Sequence, residues 1–260
     1  MKIGITTSLF NACDNHVFQA FPQLANLGFD YIELVSRDPK SVKIKRLSDL
    51  LRDHGSGVYA VSAWCNYSYQ NPAHPNKYVR QTYVRYLTDL IDLAAALGSK
   101  IVVTSAGLIE GISREEAVEY CAESLREVAD YSCAAGVKVG IEAVSRFVSN
   151  FINSVDHVLS LIKIIDNSSI GITLDTFHMN IEEASYEKSI RKVGERLFHI
   201  HLADNNRYAP GLGHIDFQTI VNTLKAIEYH GNLSLEIQGR DDPAKEAKSG
   251  FEFMQRIVNC

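Results

Sequence analysis

The stretch that settles the architecture runs Lys100-Ile101-Val102-Val103-Thr104, then Ser113-Arg114-Glu115-Glu116, then Gly136-Val137-Lys138-Val139-Gly140-Ile141-Glu142. Its two ends, Lys100–Thr104 and Lys138–Glu142, are short apolar runs rich in β-branched residues, the signature of buried strands. Between them, Ser113 with Glu116 three residues on forms a capping box that opens a helix over Ala117–Ala135. Gly136 closes that helix as a left-handed cap. Working outward, the same alternation recurs. Further strand candidates are Lys2–Thr6, Asp30–Leu34, Val58–Ser62, Gly171–Asp175, Leu197–His201 and Ser234–Ile237. A second helix over Tyr83–Leu97 carries apolar residues at Tyr83, Tyr86, Leu87, Leu90, Ile91, Ala94 and Leu97, with Gly98 at its end. No linker or low-complexity tract interrupts the series. Eight strands alternating with helices give the order of a (β/α)8 TIM barrel, an α/β fold of typically ~250 residues, so residues 1–260 read as one barrel domain. A doubly wound open sheet usually has fewer strands or a second domain. The first βα loop also lacks the Gly-x-Gly-x-x-Gly of a dinucleotide site.

Composition removes several classes of function. The chain has 260 residues, 46% hydrophobic and 22% charged, with 31 acids against 26 bases and a net charge of −5. No apolar run reaches the ~18 residues of a membrane span, and the start has no signal-peptide core, so a cytoplasmic protein without membrane contact is expected. Five scattered cysteines (Cys13, Cys65, Cys121, Cys133 and Cys260) form no Cys-x-x-Cys pair, which argues against a disulfide framework and a thiolate zinc site. The one basic stretch, Arg37, Lys40, Lys43, Lys45 and Arg46, reads as a solvated helix face. With the acidic net charge, no nucleic-acid partner is expected.

In a TIM barrel the chemistry sits at the C-terminal ends of the strands. Four strands in succession end in a residue able to bind a metal: Glu142, Asp175, His201 and Glu236. They are spaced by about 26 to 35 residues, one βα unit each. Adjacent strands lie ~4.8 Å apart, so the four side chains can converge at the barrel mouth. Three carboxylates and an imidazole make an oxygen-rich site for a divalent cation, with Mn2+, Mg2+ or Co2+ suited better than Zn2+. Without a cation the three anions would repel one another. His199 lies one layer deeper than His201 on the same strand and reads as a hydrogen-bonded core histidine. A glutamate on each side of a bound sugar suits two-base proton transfer. One of Glu142 and Glu236 takes a proton from carbon, the other returns one to the opposite face, and the cation stabilises an enediolate.

These residues carry a resemblance. The chain resembles the xylose-isomerase-like sugar isomerase/epimerase superfamily, and within it the D-tagatose/D-psicose (ketose) 3-epimerases. The likeness rests on Leu174-Asp175-Thr176-Phe177-His178-Met179-Asn180-Ile181-Glu182-Glu183, on His199-Ile200-His201-Leu202-Ala203-Asp204-Asn205-Asn206-Arg207, and on Pro210-Gly211-Leu212-Gly213-His214-Ile215-Asp216-Phe217. It implies that Glu142, Asp175, His201 and Glu236 bind the metal, Mn2+ foremost, that the two glutamates are the acid/base pair, and that His178 and Arg207 hold substrate oxygens. It also implies a small-molecule sugar substrate and a homo-oligomer formed through outer helices.

One departure bears on substrate. The family carries Asn-Arg-Phe/Tyr-Glu after the strand-five glutamate, and that last residue touches the sugar. Here the segment reads Ser145-Arg146-Phe147-Val148. Valine accepts no hydrogen bond, so one end of the substrate is held differently, and a keto-glycoside, deoxy-sugar or keto-acid suits the position. The runner-up function is accordingly a metal-dependent lyase or dehydratase, or an epimerase, on a keto-glycoside, keto-sugar or keto-cyclitol. Elsewhere, Glu33 reads equally as an orienting partner of a metal ligand and as a structural ion pair. Trp64 reads as a stacking surface for substrate or as core packing, Cys65 as packing. Gly211 and Gly213 read as a turn rather than a phosphate cradle, and Arg240 alone does not establish a phosphate site. The superfamily's apurinic-site endonucleases need further histidines at the ends of strands three and four. Those ends read Ser62-Ala63-Trp64 and Thr104-Ser105-Ala106-Gly107. A non-catalytic sugar-binding barrel would have little use for a complete ligand set with paired glutamates.

Overall fold

The computed structural model describes residues 1–240 and 242–259; Asp241 and Cys260 lie outside the described residues. The strands are β1 (Ile3–Thr6), β2 (Tyr31–Ser36), β3 (Val58–Ala63), β4 (Ile101–Ser105), β5 (Lys138–Glu142), β6 (Ile170–Asp175), β7 (Leu197–Leu202) and β8 (Leu233–Leu235). The helices are α1 (Val17–Asn26), α2 (Ile44–Asp53), α3 (Lys77–Ala96), α4 (Arg114–Ala135), α5 (Val155–Ile165), α6 (Thr176–Glu182), α7 (Tyr186–Val193), α8 (Phe217–Ala226) and α9 (Pro243–Asn259). All strands pair in parallel in the order β1 to β8, and β8 pairs back onto β1, closing a barrel. Closure excludes the open sheet.

Local chemistry fixes the element ends. Ser113 Oγ accepts from the Glu116 N–H, while the Glu116 carboxylate accepts from the Ser113 N–H, so the expected capping box forms. Gly136 follows α4 at φ +65°, the left-handed region open to glycine. Helix α3 begins six residues before the expected Tyr83, because the Asn76 side chain caps it by accepting from the Tyr78 N–H. Its first turn, Lys77-Tyr78-Val79-Arg80, leaves Tyr78 exposed and buries Arg80, so it does not continue the apolar stripe that begins at Tyr83. Strand β8 is shorter than expected, and Glu236 lies one residue beyond it, though its N–H still reaches Leu202 O at 3.1 Å.

The apolar faces of α3, α4 and α5 pack on the outer wall of the barrel, burying Tyr83, Leu87, Leu90, Leu125, Val158 and Leu161. The inside is different. Its lower layer is apolar, with Ala60, Ile101 and Val103, but the layers above hold Glu33, Ser62, Thr173, His199 and His201, all buried. Such polar groups need partners, and their partners lead to the site. Cys13, Cys65, Cys121 and Cys133 are free thiols. Among the described residues, no helix is long and apolar enough to cross a membrane. The basic stretch is not one helix face: Arg37, Lys40 and Lys43 precede α2, and Lys40 pairs with Asp89 at 3.0 Å.

Candidate metal centre

Register brings the candidate ligand residues together. Asp175 lies beside His201 across the β6–β7 pair, and His201 beside Ser234 across β7–β8. Glu142 ends β5, opposite Thr173. One donor atom from each of Glu142, Asp175, His201 and Glu236 lies within 4.8 Å of the others. His201 Nδ1 faces Glu142 Oε1 at 3.1 Å, Glu236 Oε2 at 3.0 Å and Asp175 Oδ2 at 3.9 Å.

The other side of that imidazole decides what Nδ1 can do. His201 Nε2 is 2.8 Å from Glu33 Oε1, and Glu33 Oε2 is 2.7 Å from His199 Nε2. Ser62 Oγ also donates to Glu33 Oε1. Glu33 is fully buried; burial alone would raise its pKa, but His201 and His199 outweigh that and hold it well below the usual carboxylate range. A carboxylate there draws the proton to Nε2 and leaves Nδ1 pointing at three acids. As the side chains stand, burial would depress the imidazole, yet Glu33 and Glu236 hold its pKa well above the ordinary histidine value. A ring nitrogen and three carboxylate oxygens aimed at one point are a donor set for a hard divalent cation, so these residues fit the metal expected from the sequence. Glu33 thus orients the candidate ligand His201 and forms an ion pair at once, and His199 is the hydrogen-bonded core histidine it was expected to be.

Asp175 divides its oxygens between two tasks. Oδ1 caps α6, accepting from the Phe177 N–H at 2.8 Å and the His178 N–H at 3.3 Å. Oδ2 faces the ligand cluster. The cap sets His178 on the first turn of α6, buried, with Nδ1 unpaired among the described residues. A buried nitrogen without a partner costs stability and marks a place where a further polar group fits.

Arg207 is no solvated loop charge. It has left-handed φ, +64°, and donates through Nη1 to Asp175 Oδ2 and through Nη2 to Glu236 Oε2. Burial would raise the Glu236 pKa, but Arg207 and His201 outweigh it and hold the carboxyl far below its usual range. The loop carrying Arg207 is built on Asp204, a residue that sequence reading passed over. Its buried carboxylate accepts from the N–H groups of Asn205, Gly211, Gly213 and Ile215. The Gly-x-Gly turn thus cradles the chain's own anion; a Cβ on Gly213 would come within 2.3 Å of Asp204 Oδ1. An asparagine has one acceptor oxygen where this loop uses two. Asp204→Asn is therefore expected to cost about 1.5–3 kcal/mol of stability, read by denaturant unfolding. A loss under 0.5 kcal/mol would mean that the loop holds itself.

The mouth is a cleft of about 250 Å³ lined by Trp64, Cys65, Tyr67, Ser105, Glu142, Val148, His178, Arg207 and Glu236 among others. Trp64 is 48% exposed there, with the Arg37 guanidinium 4.3 Å from its ring centroid, so it is not core packing. Val148 is 49% exposed at the same cleft, on a loop pinned by a two-pronged Arg146–Glu182 ion pair. Burial pushes the Cys65 thiol up to about 12, so it lines the wall as a protonated, inert group. Tyr67, also missed from the sequence, reaches Ser105 with its hydroxyl. Arg240 pairs with Glu246 at 2.5 Å and stacks over Tyr208.

Known proteins share this architecture. The L-ribulose 3-epimerase of Mesorhizobium japonicum is 32% identical over 242 residues, covering 90% of this chain and 80% of that protein. The D-psicose 3-epimerase of Ruminiclostridium cellulolyticum is 30% identical over 266 residues, covering 92% and 91%. A solved L-ribulose 3-epimerase structure superposes with a TM-score of 0.91 at 30% identity, covering 99% of this chain and 94% of the other. Residues 21–257 match the family described as xylose isomerase-like TIM barrel. With a match running from α1 into α9, the chain belongs to the xylose isomerase-like TIM barrel family.

Proposed function

We propose that this protein is a divalent-metal-dependent ketose 3-epimerase acting by proton transfer through an enediolate. The observation that carries the reading is the convergence of Glu142 and Glu236 on one imidazole nitrogen, with Asp175 beside them. Glu142, Asp175, His201 and Glu236 would hold the cation, Mn2+ foremost for this oxygen-rich set. Bound there, the ion would polarise the substrate carbonyl and acidify the neighbouring C–H.

The chain's own residues do the rest. One glutamate removes the proton from C3, and the electron pair moves into the C2–C3 bond and on to the carbonyl oxygen. The second glutamate delivers a proton to the opposite face of C3, and the carbonyl re-forms. Glu236 is ionised at the start of such a cycle, held so by Arg207 and His201. His178 offers its unpaired Nδ1 to a sugar oxygen, Arg207 offers guanidinium N–H groups, and Trp64 offers its indole surface.

Proton NMR in D2O tests this, with Mg2+-loaded protein and a panel of D-fructose, D-psicose, D-tagatose and L-ribulose. The expected result is loss of the C3–H signal with a new stereoisomer of equal mass apart from deuterium. A product lighter by water or by a substituent would establish the lyase reading instead, and no exchange on any sugar would remove the epimerase. Val148 makes a second expectation. Val148→Glu restores an acceptor at the cleft and should raise kcat/KM on free ketohexoses about tenfold or more. An unchanged kcat/KM would show that position 148 does not touch a free sugar.

A further inference from the structure

A second cleft, of about 430 Å³, opens beyond the reacting centre. Ser8, Asn11 and Gln238 line it, and it joins the inner cleft at Trp64, Arg207 and Glu236. Glu142 lines only the inner one. A sugar whose reacting carbon lies between Glu142 and Glu236 therefore fills the inner cleft. Any substituent at its far end passes Trp64 into the outer one.

The chemistry of the outer cleft describes that substituent. The carboxamides of Asn11 and Gln238 have no side-chain hydrogen-bond partner among the described residues, and both residues are exposed. The Arg37 guanidinium lies 4.3 Å from the Trp64 ring centroid, and Trp64 is still half-exposed at the cleft. A flat apolar wall beside free amide donors and acceptors matches a sugar ring, which has C–H faces and a rim of hydroxyls. It offers an anion no free charge: among the described lining residues the one cation, Arg207, is committed to Asp175 and Glu236, Glu236 is itself part of the wall, and the neighbouring Arg37 lies over the Trp64 ring. Val148 points the same way, since a cleft that has lost an acceptor for a free ketose must gain its hold on substrate elsewhere.

We propose that the outer cleft is a subsite for a second, uncharged sugar ring, and that the preferred substrate is a ketose O-glycosylated at the end remote from the reacting carbon. This deepens the epimerase reading and rests on it for the position of the reacting carbon.

The test compares D-fructose with isomaltulose, which carries a glucosyl ring at O6, the end remote from C3, and with maltulose, whose ring at O4 adjoins C3 and serves as the misplaced control. Deuterium exchange at C3 and calorimetric binding are both measured on the Mg2+-loaded protein. Isomaltulose is expected to exceed D-fructose about tenfold in kcat/KM, roughly the gain from one stacked ring and one or two hydrogen bonds, and maltulose is not. Asn11→Gly, which keeps the left-handed backbone at φ +49°, and Gln238→Ala should each lower the isomaltulose-to-fructose ratio about threefold or more. Exchange on D-fructose with no isomaltulose advantage overturns the subsite and leaves the epimerase standing. So does an advantage that neither variant reduces. If no sugar exchanges, the epimerase reading falls, and binding decides the subsite: about tenfold tighter isomaltulose than fructose keeps it, and equal affinities overturn it.

Discussion

Glutamine in place of Glu236 or of Glu142 is expected to lower turnover by about three to five powers of ten while the fold is kept. The substitution preserves shape and removes two things together, a negative charge facing the cation and the ability to carry a proton. Both side chains stand at the mouth rather than in the apolar core, 23% exposed for Glu236 and 13% for Glu142, so the barrel should persist, which far-UV circular dichroism checks, although Glu236→Gln gives up its pairs with Arg207 and His201. Their failures should differ in kind. In a two-base enzyme each glutamate serves one face of the carbon. Residual deuterium exchange should therefore survive on one epimer in the Glu142→Gln protein and on the other in the Glu236→Gln protein. Calorimetric metal titration separates this from simple loss of the ion. Near-normal rates in either variant, or the same residual epimer in both, would refute the two-base assignment.

Glu33→Gln is expected to weaken divalent-metal binding about 10- to 100-fold, although Glu33 is not itself one of the four ligands proposed. The carboxylate accepts from two imidazoles and a hydroxyl, with His201 Nε2 at 2.8 Å and His199 Nε2 at 2.7 Å. A carboxamide has one oxygen for these donors and turns its NH2 group to another. If that NH2 meets His201 Nε2, the ring proton moves to Nδ1, and the nitrogen aimed at the acids can no longer ligate. If it meets His199, that buried ring must shift its own proton to a Nδ1 with no partner among the described residues. Calorimetric titration with Mn2+ reads the effect directly. An unchanged Kd would show that contacts other than Glu33 set the His201 tautomer.

The barrel was legible because strand and helix signals repeat without interruption, and because β5 is both apolar and sharply bounded: Lys138–Glu142 is the strand in sequence and in structure. The acids at the strand ends were legible for the same reason, since a barrel gives strand ends one address. Asp204 was not. An aspartate among asparagines and glycines looks like any solvated turn, and only the fold shows four backbone N–H groups converging on it. Arg207 was ambiguous because burial of a loop cation depends on which acids the neighbouring strands deliver. Trp64 went against its usual behaviour, since an indole's place in core or cleft depends on where the β3 loop turns, which local pattern does not encode.

All four residues proposed as metal ligands come from the segment that runs from β5 to Glu236, just past β8, within the second half of the chain, whereas Glu33 comes from β2. The halves therefore carry different kinds of information. The later half supplies the atoms that would grip an ion, and the earlier half decides where one proton sits on one of them. A fragment running from β5 through Glu236 would hold every proposed ligand and still lack the carboxylate that faces His201 Nε2. Duplication or exchange of half-barrels at this boundary would transmit the residues proposed to bind the metal and discard that contact. The two halves must be inherited together for the chemistry to survive.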